Sequence, residues 1–257
     1  MRRTKNHDFN LESLLKLIAV ISMTLDHVGL FFLSDNSILR VIGRLAFPIF
    51  GFFMGKNLKL CKSPSVIRYD LILPATLVQI LMYVLGINKV NILFSFLLGS
   101  CFVKVYRDLN LTYLNKSIIV IVLILGLYSI FSGINIEYKL LSFAFMTIGY
   151  ISVNTRSRKV FASVAIVTFV LYFVYTYKEF GEYFDNYGLM LFLLEMIVLC
   201  LIFICFNYKV LIYKINTQDI GISISDVFMY FLNKVSKNSL MLYVVQLFML
   251  GICFILN

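Results

Sequence analysis

Long apolar stretches alternate with short polar clusters along the chain, and most stretches approach the roughly 20 residues that a helix needs to cross a bilayer. Read between their polar breaks, they predict helical spans near 14–33, 39–58, 69–87, 90–106, 117–132, 139–153, 160–177, 188–206 and 238–256, about nine in all. The breaks have local causes. Ser34-Asp35-Asn36-Ser37 reads as a tight turn, Gly86 to Lys89 and Ser132-Gly133-Ile134-Asn135 as two more, and Thr155 to Lys159 as a basic loop. The one long connection, 207–237, holds a segment too short to cross, Ile222 to Val235. It sets Val227, Tyr230, Phe231 and Val235 apart from Asp226, Asn233, Lys234 and Lys237, which predicts an interfacial helix over about 222–235. The expected fold class is all-α, a polytopic transmembrane helix bundle, with residues 1–257 forming a single integral-membrane domain.

Composition agrees. Hydrophobic residues make up 61% and charged residues 14% of the chain, against about 45–50% and 25% in soluble domains, and the mean hydropathy is +0.91. A soluble catalytic module is excluded, so any chemistry sits among the helices. The 23 basic and 13 acidic residues give a net charge of +10, but their positions read as topology rather than as a nucleic-acid surface. Seventeen Lys and Arg fall in 1–13, 55–68, 104–116, 154–160 and 207–237, and four in the alternate loops. By the positive-inside rule the N-terminus is cytoplasmic. The apolar run after the basic N-terminus is too long for a signal-peptide core and is expected to stay as the first span. Five scattered cysteines form neither a CxxC nor a Cys/His cluster, so they read as small buried hydrophobes, with no metal site and no disulfide frame.

An ionisable side chain at mid-bilayer costs at least about 2.5–3.5 kcal/mol, which makes each one a functional hypothesis. Four stand out: Lys16, Asp26 and His27 in the first span and Arg44 in the second. Lys16 and His27 are close to three helical turns apart, so they face one side of the first helix at a separation of about 16 Å along its axis. Residues equidistant from the Asp35-Asn36 turn share a depth, which sets His27 level with Arg44 in the outer half of the membrane. Neighbours on a helix point about 100° apart; Asp26 is therefore expected to position Arg44 or a substrate amine rather than to orient the His27 ring. An ion pair knitting the hairpin would need neither a His beside it nor a Lys three turns below. Glu195, Asn91 and Gln246 are secondary polar candidates, for which a hydrogen bond between helices or a snorkelling role is the plainer reading.

The chain has no P-loop, HExxH, GxSxG or paired intramembrane Asp motif. A single intramembrane His suits a general base that takes a proton from a hydroxyl or amine, with a nearby Arg stabilising the negative charge that develops.

The run Leu15-Lys16-Leu17-Ile18-Ala19 through Leu25-Asp26-His27, then Gly43-Arg44-Leu45-Ala46-Phe47-Pro48-Ile49-Phe50, then Asn91-Ile92-Leu93-Phe94 and a final polar-aromatic helix, resembles the TraX family of membrane proteins. The resemblance implies an acetyltransferase of the bacterial cytoplasmic membrane, the family's namesake acetylating the N-terminal amine of a conjugative pilin. The Lys and His of the first helix are also similar to the Arg/Lys and His pair of membrane acyltransferases that modify cell-surface glycans. It follows from the resemblance that acetyl-CoA is the cytoplasmic co-substrate and that the acceptor, a peptide or a glycan, lies outside. His27 is then the base or transient acyl carrier, Arg44 the oxyanion partner and Asp26 the group that orients the acceptor amine or Arg44, while Lys16 meets the CoA phosphates. Asn91, Glu195, Tyr243 and Gln246 are substrate-binding or secondary positions. Gln246 stands where the namesake carries a His in the Tyr-containing segment of the last helix, so a second titrating group is lost. A transporter or channel using Lys16, His27 and Arg44 as a path, and an envelope-assembly scaffold, are the competing readings.

Overall fold

The computed structural model describes residues 11–33, 37–60, 69–108, 138, 141–153, 158–181, 186–207 and 226–256. Within them the chain forms helices and turns and no strand: α1 (Leu11–Phe32), α2 (Ser37–Gly43), α3 (Ala46–Leu60), α4 (Tyr69–Val84), α5 (Ile92–Asp108), α6 (Leu141–Ser152), α7 (Arg158–Phe180), α8 (Asn186–Asn207) and α9 (Asp226–Leu256). Five stretches are long and apolar enough to cross a membrane: Leu11–Phe32, Ile38–Leu60, Phe161–Lys178, Tyr187–Ile204 and Tyr230–Phe254. The stretches Asp70–Val84, Ile92–Val103 and Leu141–Ser152 are apolar but shorter. The span expected at 117–132 lies outside the described residues.

Two elements differ from the sequence expectation, each for a local reason. The span expected to run unbroken over 39–58 is interrupted at Arg44-Leu45, between α2 and α3. Pro48 causes this: its ring would clash with the carbonyl four residues back, that of Arg44, and it has no N–H to offer it. The backbone tightens there, Arg44 N–H donating to Val41 O at 2.9 Å and Leu45 N–H to Ile42 O at 3.2 Å. The Arg44 carbonyl instead accepts a hydrogen bond from the Tyr172 hydroxyl of α7 at 2.8 Å. The separate interfacial helix expected at 222–235 is, from Asp226 onward, the beginning of α9. No Gly or Pro interrupts α9 before Gly251, so it continues to Leu256.

At the centre lies α6, buried along nearly its whole length and packed by α3, α5 and α7. Its closest neighbour is α3, where Gly51 and Gly55 form the GxxxG spacing that lets membrane helices approach backbone to backbone. A Cβ on Gly55 would fall 1.8 Å from Met146 O, and one on Gly149 would fall 1.8 Å from Phe52 O. Ser142 Oγ ties α6 to α5 by donating to Ser95 O at 3.1 Å. This approach gathers aromatic rings into the core: Phe47 stacks on Tyr138 at 3.9 Å between centroids and meets Phe145 edge-on at 5.5 Å. The outer layer is less strictly apolar-in than expected for the cysteines. Cys253 is exposed and Cys101 and Cys200 are half-buried; the side chains of Cys61 and Cys205 lie outside the described residues.

On the other flank α9 runs beside α1. Ser13 Oγ donates to Asn233 Oδ1 at 3.2 Å and Thr24 Oγ1 to Gln246 Oε1 at 2.7 Å. The offset between partners is nearly constant, 220 and 222 residues, as expected of two parallel helices in register.

Gly55→Ala and Gly149→Ala each drive a methyl into a backbone carbonyl and should destabilise the protein by about 3 kcal/mol or more. Gly99→Ala, whose one tight contact is the flexible Met146 sulfur at 2.7 Å, with the Ser142 backbone at an ordinary 3.6 Å, should cost less; thermal melting in detergent followed by size-exclusion chromatography measures the order. Tyr172→Phe strands the Arg44 carbonyl, and the same assay should register a loss of about 1–3 kcal/mol.

Candidate active site

The interruption of the second span places Arg44 at a helix end, against α1. Gly43 allows the approach, since a Cβ there would lie 2.3 Å from Asp26 Cβ. Arg44 is only 4% exposed; its guanidinium contacts Asp26 Oδ1 through Nη2 at 3.2 Å and donates from Nη1 to the Tyr138 hydroxyl. Asp26 Oδ1 also meets Arg40 Nη1 at 3.2 Å, and the same nitrogen lies 3.4 Å from the Asp26 carbonyl oxygen. One carboxylate is thus shared by two guanidiniums placed four residues apart on the α2 side. Tyr138 sits at a φ of 54°, a left-handed conformation uncommon outside glycine. Its carbonyl accepts from Leu141 N–H at 2.9 Å at the start of α6, so its conformation both begins the central helix and aims its hydroxyl at Arg44.

Beside this ion cluster His27 is buried, at 9% exposure. Its Nδ1 has no hydrogen-bond partner among the described residues. The ring is flanked by Tyr243 at 5.9 Å and Phe31 at 6.4 Å between centroids. Asp26 does not orient the ring, as the helical angle between consecutive residues requires. A buried polar atom without a partner costs roughly 1–3 kcal/mol, so this imidazole is held in place at a stability cost.

His27, Asp26, Arg44, Lys16 and Tyr243 all line one cavity of about 430 Å³. It runs along α1 from the level of Lys16 to that of Leu30, about 21 Å, with α3, α4, α5 and α9 forming the other walls. Its described lining carries Lys16, Arg40, Arg44, Lys89 and Lys237 against Asp26 and Asp70, which makes the interior electropositive. At the Lys16 end, Glu12 bridges two cations: Oε1 lies 2.7 Å from Lys16 Nζ and Oε2 lies 2.6 Å from Lys56 Nζ. Both ammonium groups stand over the Phe53 ring, at 5.2 and 5.6 Å from its centroid.

The remaining sequence candidates stand elsewhere. Asn91 is fully buried and structural: its side-chain amide donates to Ala75 O at 2.8 Å and Gln79 Oε1 at 3.1 Å, while its Oδ1 accepts from Leu93 N–H at 3.0 Å. That is an N-cap for α5 combined with a tie to α4. Gln246 joins α9 to α1 through Thr24, and neither it nor Glu195 is among the cavity-lining residues. Sequence reasoning missed Arg40, Lys56 and Tyr138. Arg40 precedes Arg44 by one helical turn, a spacing that brings two side chains together. Tyr138 carries no local signal, since it reaches Arg44 across 94 residues of chain.

No solved structure matches this chain. Two similar proteins are an uncharacterized protein of Rickettsia prowazekii (strain Madrid E), 29% identical over 96% of this chain and 93% of that protein, and a probable fimbrial assembly protein, FimC, of Dichelobacter nodosus, 47% identical over 20% of this chain and 22% of that protein. The family described as TraX protein matches residues 11–195, a stretch that holds Lys16, Asp26, His27, Arg40, Arg44 and Tyr138 together. The chain belongs to the TraX family of membrane proteins.

Proposed function

We propose that this protein is an acetyltransferase of the bacterial cytoplasmic membrane, moving an acetyl group from cytoplasmic acetyl-CoA to an amine or hydroxyl of an acceptor on the outer side, a peptide such as a pilin N-terminus or a surface glycan. The proposal takes the chain as about nine spans with the N-terminus cytoplasmic, as its loop charges indicate. One observation carries it: an electropositive cavity with Lys16 at one level and, about 16 Å above, beside a guanidinium, a buried imidazole whose Nδ1 has no hydrogen-bond partner among the described residues. That separation suits a ligand whose phosphates and reactive carbonyl are joined by a long extended arm, as in acetyl-CoA.

In this reading Lys16, with Lys56 beside it, receives the phosphates, and the thioester lies between His27 and Arg44. The acceptor nitrogen or oxygen attacks the thioester carbonyl while the His27 imidazole takes its proton. Negative charge gathers on the carbonyl oxygen and faces Arg44, whose position Asp26 and Tyr138 fix in advance. Collapse of the adduct re-forms the carbonyl and breaks the carbon–sulfur bond, and the thiolate leaves with the proton returned by the imidazolium. In a two-step form of the same chemistry His27 carries the acetyl group before the acceptor receives it. Asp26 acts through Arg44 and is a positioning residue.

Purified protein in detergent should bind radiolabelled acetyl-CoA saturably and release acetate slowly. His27→Gln should lower that release about 100-fold or more with binding retained, whereas Lys16→Ala should weaken binding by about tenfold. Folded wild-type protein that binds no acetyl-CoA at about 1 mM would sink the reading and direct attention to transport assays. Acetyl release should also fall on acidification, because a protonated imidazole has no lone pair left to accept a proton. A pH profile of the same shape in His27→Gln would remove His27 from that role.

A further inference from the structure

The sequence pattern places Lys237 on the polar side of an interfacial helix; the structure instead makes it part of the cavity wall, together with Ser236 and Ser239. Ser236, Ser239 and Tyr243 follow one another at spacings of three and four, one face of α9. The face that carries Tyr243 to His27 therefore also carries these polar groups to the other end of the cavity. Contacts between helices fix the depth of that end. The offset of 220 to 222 residues between α1 and its partners on α9 sets Lys16 level with residues 236–238. A Cβ on Gly251 would lie 3.3 Å from Leu85 and 3.4 Å from Leu81, and the same offsets carried down α4 and α9 set Asp70 level with residues 236–240. On α3, Lys56 is joined to α1 through Glu12, and Asn57 follows it. Four helices thus bring Lys16, Asn57, Asp70 and Lys237 to one level of one cavity, where α1 and α4 begin and α3 ends. Loop charges make this the cytoplasmic side.

A bare oxyanion would be drawn by the lysines of this ring and repelled by the Asp70 carboxylate. A nucleotide uses the whole set. Ammonium groups are compact point charges for its phosphates, a carboxylate accepts hydrogen bonds from ribose hydroxyls, and a carboxamide both donates to and accepts from the edge of a base. Lys237 makes no ion pair among the described residues, and it and Asn57 are exposed at the mouth. We infer that this ring is a nucleotide-binding mouth in which Lys237 determines specificity, and that its guest is the adenosine diphosphate end of coenzyme A, the arm of which runs up the wall between α1 and α9 to His27. Assigning the nucleotide to coenzyme A rests on the acetyltransferase reading; nucleotide binding at the mouth does not. The acyl donor is accordingly a free coenzyme A thioester, since an acyl group carried on a phosphopantetheine arm alone lacks the part that the ring holds.

The test is a binding titration that uses no thioester. ADP, inorganic phosphate and dihexanoyl phosphatidylethanolamine are titrated separately into the full-length protein in nonionic detergent at constant ionic strength, with isothermal calorimetry as the readout. ADP should saturate one site and bind at least about tenfold more tightly than phosphate. Lys237→Gln should weaken ADP by at least about tenfold, Lys237→Arg should keep most of the affinity, and His27→Gln should leave it unchanged. Asp70→Asn should narrow the preference for ADP over phosphate, a change of selectivity that a loss of folding would not produce. Folded wild-type protein with no saturable ADP site, phosphate bound as tightly as ADP, or ADP affinity equal in wild type and Lys237→Gln would each overturn the inference. So would phosphatidylethanolamine binding that depends on Lys237 where ADP does not bind, which would make the ring a lipid headgroup site. The two readings fail separately. ADP binding as described in a protein that never releases acetate would sink the acetyltransferase reading alone, whereas acetate release with an unaltered dependence on acetyl-CoA concentration in Lys237→Gln would sink this inference alone.

Discussion

The arrangement depends on a hydrogen bond that the chain cannot make for itself. Pro48 denies the Arg44 carbonyl its helical donor, so the second span breaks where it would otherwise pass through the membrane as one rod. In an environment without water that carbonyl must find a donor elsewhere, and the Tyr172 hydroxyl of α7 provides it. Fixing the break fixes the side chain that it exposes. The Arg44 guanidinium turns from the helix end toward Asp26 on α1 and Tyr138 ahead of α6, and three separate parts of the chain meet at one cation.

The glycine seam between α3 and α6 serves the same end. Where membrane helices meet there is little hydrophobic force to draw them together, so close packing of backbones does the work. Gly55 and Gly149 bring α6 to α3 at contact distance, and with it Tyr138, whose ring stacks on Phe47 just beyond the break. The polar cluster therefore rests on a rigid apolar platform. Its geometry is set by the packing of the helices themselves.

Much of the first hairpin was legible in the sequence. Equal distance from the Asp35-Asn36 turn brought Arg44 to the level of Asp26 and His27, and helical angles correctly separated Asp26 from the His27 ring. The same rule, applied further down, sets Lys16 beside Gly55 and so next to Lys56, but Lys56 was read as a loop charge and its pairing through Glu12 went unseen. Pro48 was in plain view; apolar continuity over 39–58 outweighed it, because hydropathy reports burial and says nothing of which carbonyl loses its donor. Asn91 was a secondary candidate whose plainer reading was a hydrogen bond between helices, and its bonds to Ala75 and Gln79 of α4 are of that kind; its place immediately before α5 makes it a cap as well. Tyr138 was beyond reach, since its contact depends on how α6 docks and its backbone conformation is set by that docking.

The length of α9 has a consequence for the membrane around it. Thirty-one residues without a break extend about 46 Å, well beyond a hydrocarbon core of about 30 Å. A helix with that surplus and no hinge meets a change in bilayer thickness by tilting as a whole. Tyr243 lies midway along it, against His27, between the two hydrogen bonds that tie the helix to Ser13 and Thr24 of α1. Tied at two levels, α9 and α1 must meet a change in bilayer thickness together, which holds the gap between phenol and imidazole.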